Sequence, residues 1–378
     1  MITALSNARI VTANDIVLGT VTMQDGVIID IHEGITRQAA IDMEGDYLIP
    51  GIVDIHTDNL ERHYFPRPNI DWNPASASIA HDGVCIANGV TTVFDSLSLG
   101  AWSNGTVRAV DNLRRLVAGL NTARDAGALR ADHRIHWRCE LPSPSLPELL
   151  DEFLPEPTAG LASLMDHTPG QRQYKNLDYF LDRNWRGQMS ETEVAARLDE
   201  RRTDQANNVD SNRSLLGEMA AQLGLVLAAH DDETAEHVAA AHAAGAVIAE
   251  FPVTLEAAAE ARRLGMITIM GGPNLIRGGS YSGNVSAAEL ASEGLLDGFA
   301  SDYVPRSLVE CAFRLVDDAH GWLLPQAVAT VTHAPAQAAG LNDRGQLASG
   351  LRADILRVNI ASGLPIVRSV WVAGERVG

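Results

Sequence analysis

His56 and Asp58 stand two residues apart at the end of a short apolar run, Ile52-Val53-Asp54-Ile55, which Pro50-Gly51 opens. In a strand that spacing sends both side chains the same way, so an imidazole nitrogen and a carboxylate oxygen leave the strand end together. Such a pair can begin a divalent-metal site or merely cap a strand. Repetition favours the first. Other apolar runs end in Glu140, in Asp166 and His167, in His230 with Asp231 and Asp232, and in Asp302. Three histidines and several carboxylates suffice for one or two zinc-like ions and a water activated at neutral pH.

A second kind of chemistry is written in arginines and glycines. Pro273-Asn274-Leu275-Ile276-Arg277-Gly278-Gly279-Ser280 follows an apolar run. Its glycines let backbone N–H groups approach phosphate oxygens, and Arg277 can bind them bidentately. Asn274, Gly278, Gly279 and Ser280 are candidate partners of the same anion. Further clamp candidates are Arg172 within Gly170-Gln171-Arg172-Gln173, Lys175 just beyond it, and Arg67 between two prolines. His81-Asp82 also has the chemistry to touch a substrate, but a helix start is the preferred reading.

These groups converge only if the chain brings its strand ends together. Residues 1–50 read as short strands, Ala8–Val11, Ile16–Met23, Val27–Ile31 and Tyr47–Ile49, with Asp25-Gly26 as a hairpin turn. The stretch from about 345 returns to this character at Asp354–Val358 and Ile366–Val372. Residues 1–50 and 345–378 are therefore expected to form one composite β-sandwich, with 51–344 as a separate domain. Within 51–344, apolar runs alternate with helical patterns such as Val107, Val110, Leu113, Val117 and Leu120. The eight candidate strands begin with Ile52–Ile55, Val90–Asp95, Ile135–Glu140 and Leu161–His167. They continue with Leu225–His230, Ala246–Phe251, Met266–Gly271 and Leu296–Asp302. Ser190 with Glu193 and Ser286 with Glu289 read as capping boxes, and Thr254 as a further helix start. Eight alternating units predict an α/β fold, a (β/α)8 barrel, whose strand ends meet at one mouth.

Composition sets the outer bounds. The formal charge of -19 argues against nucleic-acid or anionic-membrane binding, and no apolar run is long enough to span a bilayer. Three widely spaced cysteines, Cys85, Cys139 and Cys311, and no evident signal peptide predict a cytoplasmic protein. Barrels of this size often pair, so a homodimer is compatible with the sequence. Lysine occurs once, at Lys175.

Several segments together resemble the amidohydrolase superfamily. They are Pro50-Gly51 before the His56-Thr57-Asp58 triplet, Gly89-Val90-Thr91-Thr92-Val93, Ser301-Asp302, and Gly345-X-Leu347-X-X-Gly350-X-X-Ala353-Asp354-Ile355. The triplet is His-X-Asp where many relatives have His-X-His. The lysine that many relatives carboxylate to bridge two metals has no counterpart at a strand end, so a native carboxylate is expected there, Glu140 first and Asp166 as fallback. Narrower segments resemble the branch that acts on alpha-D-ribose 1-methylphosphonate 5-triphosphate in phosphonate use through the carbon–phosphorus lyase pathway. These include Arg138-Cys-Glu-Leu-Pro142, Leu164-Met-Asp-His-X-Pro-Gly-Gln-Arg-Gln173, Ala229-His-Asp-Asp232 and Arg277-Gly-Gly-Ser280.

The resemblance implies a diphosphatase that yields alpha-D-ribose 1-methylphosphonate 5-phosphate and pyrophosphate from that small anionic sugar phosphate. It implies metal ligands His56, Asp58, Glu140, His167, His230 and Asp302, one or two divalent ions, zinc being expected, and attack of a metal-activated hydroxide on phosphorus. Asp302 is the expected water-activating group. Two other readings stay open: hydrolysis of a cyclic amide or deamination of a heterocycle, and a barrel kept only as a scaffold.

Overall fold

In the computed structural model, which describes residues 2–36, 40–68, 70–101, 108–280, 282–316 and 320–378, both ends of the chain meet in one sheet. Its N-terminal strands are Ile2–Val11 (β1), Ile16–Gln24 (β2), Val27–Glu33 (β3), Ala40–Asp42 (β4) and Tyr47–Pro50 (β5). The barrel strands follow: Ile52–Thr57 (β6), Val90–Leu99 (β7), Asp132–Glu140 (β8), Ala159–Met165 (β9), Val226–His230 (β10), Ala246–Glu250 (β11), Ile267–Gly271 (β12) and Gly298–Ala300 (β13). The chain returns to the first sheet as Ile355–Ala361 (β14), Leu364–Val372 (β15) and Glu375–Arg376 (β16).

The terminal sheet runs β16-β15-β14-β5-β1-β2-β3, with β4 beside β1. Val27 of β3 also bridges to Arg352, just before β14, so the sheet curls back on itself. Leu5, Val21, Ile28, Leu48, Ile355 and Trp371 consequently share one buried cluster. The short strands β4 and β16 have no counterpart in the sequence reading, because two or three residues carry too little periodicity to register.

All eight barrel strands lie where the apolar runs predict them, and they pair in parallel in chain order from β6 to β13. Strands covered on both faces read as continuous apolar runs, which is why this part of the chain is so legible. The last strand closes on the first: the Asp302 N–H donates to the His56 carbonyl at 2.9 Å and the Asp58 N–H to the Asp302 carbonyl at 2.8 Å. Val53, Ile55, Phe94, Leu161, Ala228, Ile248, Ile269 and Ala300 fill the interior.

Gly51 is where sheet and barrel join. Its N–H donates to the Asp354 carbonyl at 2.8 Å. A Cβ there would lie 2.1 Å from Thr91 Oγ1 and 2.9 Å from the Asp354 side chain. Three of the recognised segments thus pack at one point.

Ser190 and Glu193 form the expected capping box at the start of the helix Glu191–Leu223, and Ser286 and Glu289 form another. At 33 residues the first of these helices is roughly 50 Å long. Its C-terminal half packs Leu216 and Ala220 on the barrel. Its N-terminal half, with Val194 and Leu198, sits on a separate apolar patch of Phe180, Leu181 and Trp185 beside the mouth. His81 and Asp82 do not start a helix; they lie buried in the middle of Pro74–Ala87. Val107, the first residue of its helical pattern, lies outside the described residues, while the helix Val110–Asp125 carries the rest. Among the described residues no helix is long and apolar enough to cross a membrane.

Candidate metal centre and substrate cavity

Glu250, the last residue of β11, organises the floor of the mouth. Its carboxylate accepts from His56 Nδ1 at 2.8 Å, from His230 Nδ1 at 2.6 Å and from Ser163 Oγ at 3.1 Å. Burial alone would raise this carboxyl. The neighbouring His56 and His136, with hydrogen bonds from His230 and His56, instead hold it well below the usual range. His56 is raised: burial opposes its charge, but Glu250 outweighs burial. His136, buried beside them with its Nδ1 2.8 Å from the Ile55 carbonyl, is pushed down to about 4 by burial.

His167, just past β9, repeats the arrangement, with Nδ1 2.5 Å from Glu140 Oε1 at the end of β8. Each of the three mouth histidines therefore has its Nδ1 taken by a carboxylate. That fixes the tautomer that leaves Nε2 as a lone-pair donor, as histidines that bind metals are commonly held by a carboxylate on their other nitrogen. The Nε2 atoms of His230 and His167 lie 3.3 and 3.7 Å from Asp231 Oδ2, and His56 Nε2 lies 3.7 Å from Asp58 Oδ1. Asp231 Oδ2 and Glu140 Oε2 are buried without a hydrogen-bond partner. Facing imidazole nitrogens, orphaned buried carboxylate oxygens and hard carboxylates nearby fit a divalent cation.

The backbone is bent to aim these groups. Asp231, Phe251 and Asp302 follow β10, β11 and β13 with φ of 56°, 57° and 54°. Left-handed geometry at non-glycine residues costs about 1–3 kcal/mol each, and its clustering at one strand-end layer marks a functional site. Asp302 is pushed up to about 6 by burial and by the nearby Asp58 carboxylate. Asp58 is held low: burial opposes its charge, but Arg138, His56 and Arg108 prevail. Arg138 hydrogen-bonds Asp58 directly.

Above this floor opens a cavity of about 490 Å³ lined by His56, Asp58, Glu140, His167, His230 and Asp302. Six arginines complete its walls: Arg62, Arg108, Arg138, Arg183, Arg197 and Arg201. A smaller cavity of about 70 Å³ adjoins it, lined by Asn274, Arg277, Gly279, Ser280, Ser282 and Asn284 among others. Gln173, Phe251, Asp302 and Tyr303 line both.

The six metal-ligand candidates from the sequence thus come together, with Glu140 in contact with His167. Asp166 does not join them, since its carboxylate accepts from Thr168 N, Gln171 Nε2 and Gln205 Nε2. The phosphate-clamp candidates fare unevenly. Asn274, Arg277, Gly279 and Ser280 line the smaller cavity, and Gly278 is the left-handed cap, at φ 80°, that ends the helix Gly272–Arg277. Arg172 is buried, its guanidinium engaged by Asp232 and the His230 carbonyl, where it braces the loop after β10. Lys175 and Arg67 are exposed and line neither cavity. Tyr281, within the Asn274–Asn284 loop, lies outside the described residues.

Sequence reasoning missed Glu250 and all six arginines of the large cavity, and it placed Asp231 at the strand end beside His230 without including it in the ligand set. Glu250 interrupts its apolar run, Ala246–Phe251, one residue before the end, and that signal was available. The arginines on the long helix look like ordinary solvated surface.

The chain is 40% identical over 377 residues to alpha-D-ribose 1-methylphosphonate 5-triphosphate diphosphatase of Escherichia coli (strain K12), covering 99% of both chains. It belongs to the alpha-D-ribose 1-methylphosphonate 5-triphosphate diphosphatase family. Membership in this family makes it a hydrolase of phosphoanhydride bonds. No protein-family model matches the chain. Its fold is that of the amidohydrolase superfamily. N-acetylglucosamine-6-phosphate deacetylase from Pasteurella multocida superposes over 100% of both chains with a TM-score of 0.62 at 13% identity. 5-Methylcytosine deaminase from Klebsiella pneumoniae superposes over 100% of this chain and 98% of its own with a TM-score of 0.65 at 18% identity. At those identities the likeness is one of fold, so the family's chemistry must be sought in the site residues.

Proposed function

We propose that this enzyme hydrolyses alpha-D-ribose 1-methylphosphonate 5-triphosphate to alpha-D-ribose 1-methylphosphonate 5-phosphate and pyrophosphate, using one or two divalent ions, zinc first among them. The observation that carries this reading is the cluster of carboxylate-oriented histidines at the floor of a cavity walled by six arginines. A cavity for a neutral cyclic amide or a heterocyclic base has no use for that much positive charge, and the 40% identical relative bears the name of the same reaction. The three unpaired, buried cysteines accord with a reducing cytoplasm.

Nε2 of His56, His167 and His230, with Asp58, Glu140 Oε2, Asp231 and Asp302, would hold the metal. When bound, a divalent ion there supplies positive charge and acidifies a water so that it can attack phosphorus near neutral pH. Asp302 lies at the junction of the two cavities and accepts the proton of the attacking water. The new bond joins the water oxygen to phosphorus, and the bond that breaks lies between the α and β phosphates. The electron pair of that bond stays on the departing phosphate oxygen. Arg138 and Arg108, both beside Asp58, face the charge that grows on the non-bridging oxygens. Glu250 and Glu140 hold the histidines in orientation throughout.

Phosphorus NMR of the metal-loaded enzyme with the triphosphate tests the reading directly. The expected spectrum gains pyrophosphate and the 5-monophosphate at a rate abolished by chelation. Metal-loaded enzyme that leaves the triphosphate intact would remove the reading and return the amide and deaminase substrates to first place.

A further inference from the structure

The mouth has two lobes of different chemistry, and they meet at Asp302, Tyr303, Phe251 and Gln173. The large lobe carries six arginines. The small lobe carries one, Arg277, among the hydroxyls of Ser280 and Ser282 and the amides of Asn274 and Asn284. The substrate assigned above is equally lopsided. One end is a polyphosphate with several negative charges, and the other is a sugar diol bearing a single phosphonate. We propose that the substrate lies across both lobes, its pyrophosphate portion among the arginines and its ribosyl methylphosphonate in the serine–asparagine lobe. This orientation rests on the function proposed above and adds to it which side chains read which end.

Three features carry the assignment. First, Arg197 and Arg201 stand one turn apart on the helix Glu191–Leu223, both facing the large lobe. Like charges at that spacing repel, and Arg201 is buried as well. Its pKa is lowered by burial and by Arg197. A bound anion adds to the relief that Glu200, Asp204 and Glu140 already give, and does so more the higher its charge. Second, the small lobe offers hydroxyls and amides, partners for the edge of a sugar ring, and at about 70 Å³ it takes that edge only, the rest of the ribosyl group lying at the shared rim. Its Ser280 and Ser282 hydroxyls, 2.9 Å apart, can exchange their mutual hydrogen bond for ribose hydroxyls. Third, the orientation sets the α–β phosphoanhydride over Asp302, the residue shared by both lobes. The reverse orientation would leave the polyphosphate with the single Arg277 of the small lobe.

The test uses the two products as separate probes in calorimetry on metal-loaded enzyme, with Arg201→Gln on one side and Arg277→Gln on the other. Losing one charge-assisted contact should weaken inorganic pyrophosphate about tenfold or more in Arg201→Gln, with ribose 1-methylphosphonate 5-phosphate changed less than about threefold. Arg277→Gln should show the opposite pattern. Should Arg201→Gln fail to fold, the more exposed Arg183→Gln is expected to show the same selective loss of pyrophosphate. A reversed pattern, or equal weakening of both probes by both variants, overturns the orientation. Phosphorus NMR on the wild type separates the two claims. Pyrophosphate release by the wild type with no dissociation between the variants refutes the orientation alone, and absence of release refutes the functional reading with it.

Discussion

Replacing Glu250 with glutamine changes one buried atom and should disable one of the two ligands that the carboxylate orients. The wild-type carboxylate accepts from His56 Nδ1 at 2.8 Å and from His230 Nδ1 at 2.6 Å, one histidine on each oxygen. An amide keeps one acceptor and turns the other position into a donor. One histidine then faces N–H against N–H and must change tautomer, which places its proton on Nε2 and removes that nitrogen as a ligand. Loss of a single orienting partner costs about 10- to 100-fold in metal affinity. Because one group serves two histidines here, the expected loss is about 100-fold or more, roughly 2.7 kcal/mol. Competition against a chromophoric chelator measures the affinity, and nitrogen-15 shifts of the imidazoles report the tautomers. An E250Q protein that folds, binds zinc within about threefold of wild type and keeps both tautomers would refute the reasoning, because affinity would then not depend on orientation.

Three further outcomes are expected. Asp302→Asn keeps a similar side-chain volume and the backbone bonds at 302, so metal content should persist while kcat falls about 100-fold or more; unchanged turnover would remove Asp302 from proton transfer. Lys175→Ala should leave kcat/KM within about twofold, since the side chain is exposed and outside both cavities; a large loss would restore it to the phosphate clamp. The third concerns His133, buried at the start of β8 with Nδ1 2.8 Å from Asp95 and Nε2 3.5 Å from Asp82. Burial opposes its charge, but Asp95 and Asp82 raise its pKa from 6.5 to about 9. Its stabilisation is therefore complete below pH 6.5 and is lost as pH rises through about 9, at most about 3 kcal/mol. Urea melts near pH 6 and near pH 9.5 should show that fall in wild type and a flatter profile in His133→Gln; equal slopes would contradict the charged histidine.

The fold was legible where physics leaves a one-dimensional trace. Parallel strands buried on both faces appear as apolar runs, so all eight barrel strands could be placed, and Ser190 and Ser286 announced their helices through the glutamate three residues on. The histidine-bearing strand ends could be read for the same reason, since a polar residue closing an apolar run is conspicuous. Glu250 lies one residue inside the end of its apolar run, Ala246–Phe251, so it does not stand out as the polar residue that closes it. Side-chain direction leaves no such trace. Arg172 sits in a loop at the mouth but turns inward to Asp232, while Arg197 and Arg201 lie on a polar helix whose pattern gives no sign that one stretch overhangs the cavity. The cationic wall is a product of tertiary placement, and only coordinates reveal it.

The same two backbone bonds that position Asp302 also fasten the barrel's seam, with 244 residues of chain between Asp302 and the Thr57 it bridges. The proposed proton acceptor and the architectural latch are therefore one residue. A chain that has folded seven strands has its histidines but no means of setting Asp302 against them. On that role, turnover by this chain should double as a reporter of circularity, rising with the last zip of the cylinder and falling at its first unzipping, however much helix and sheet survive on either side.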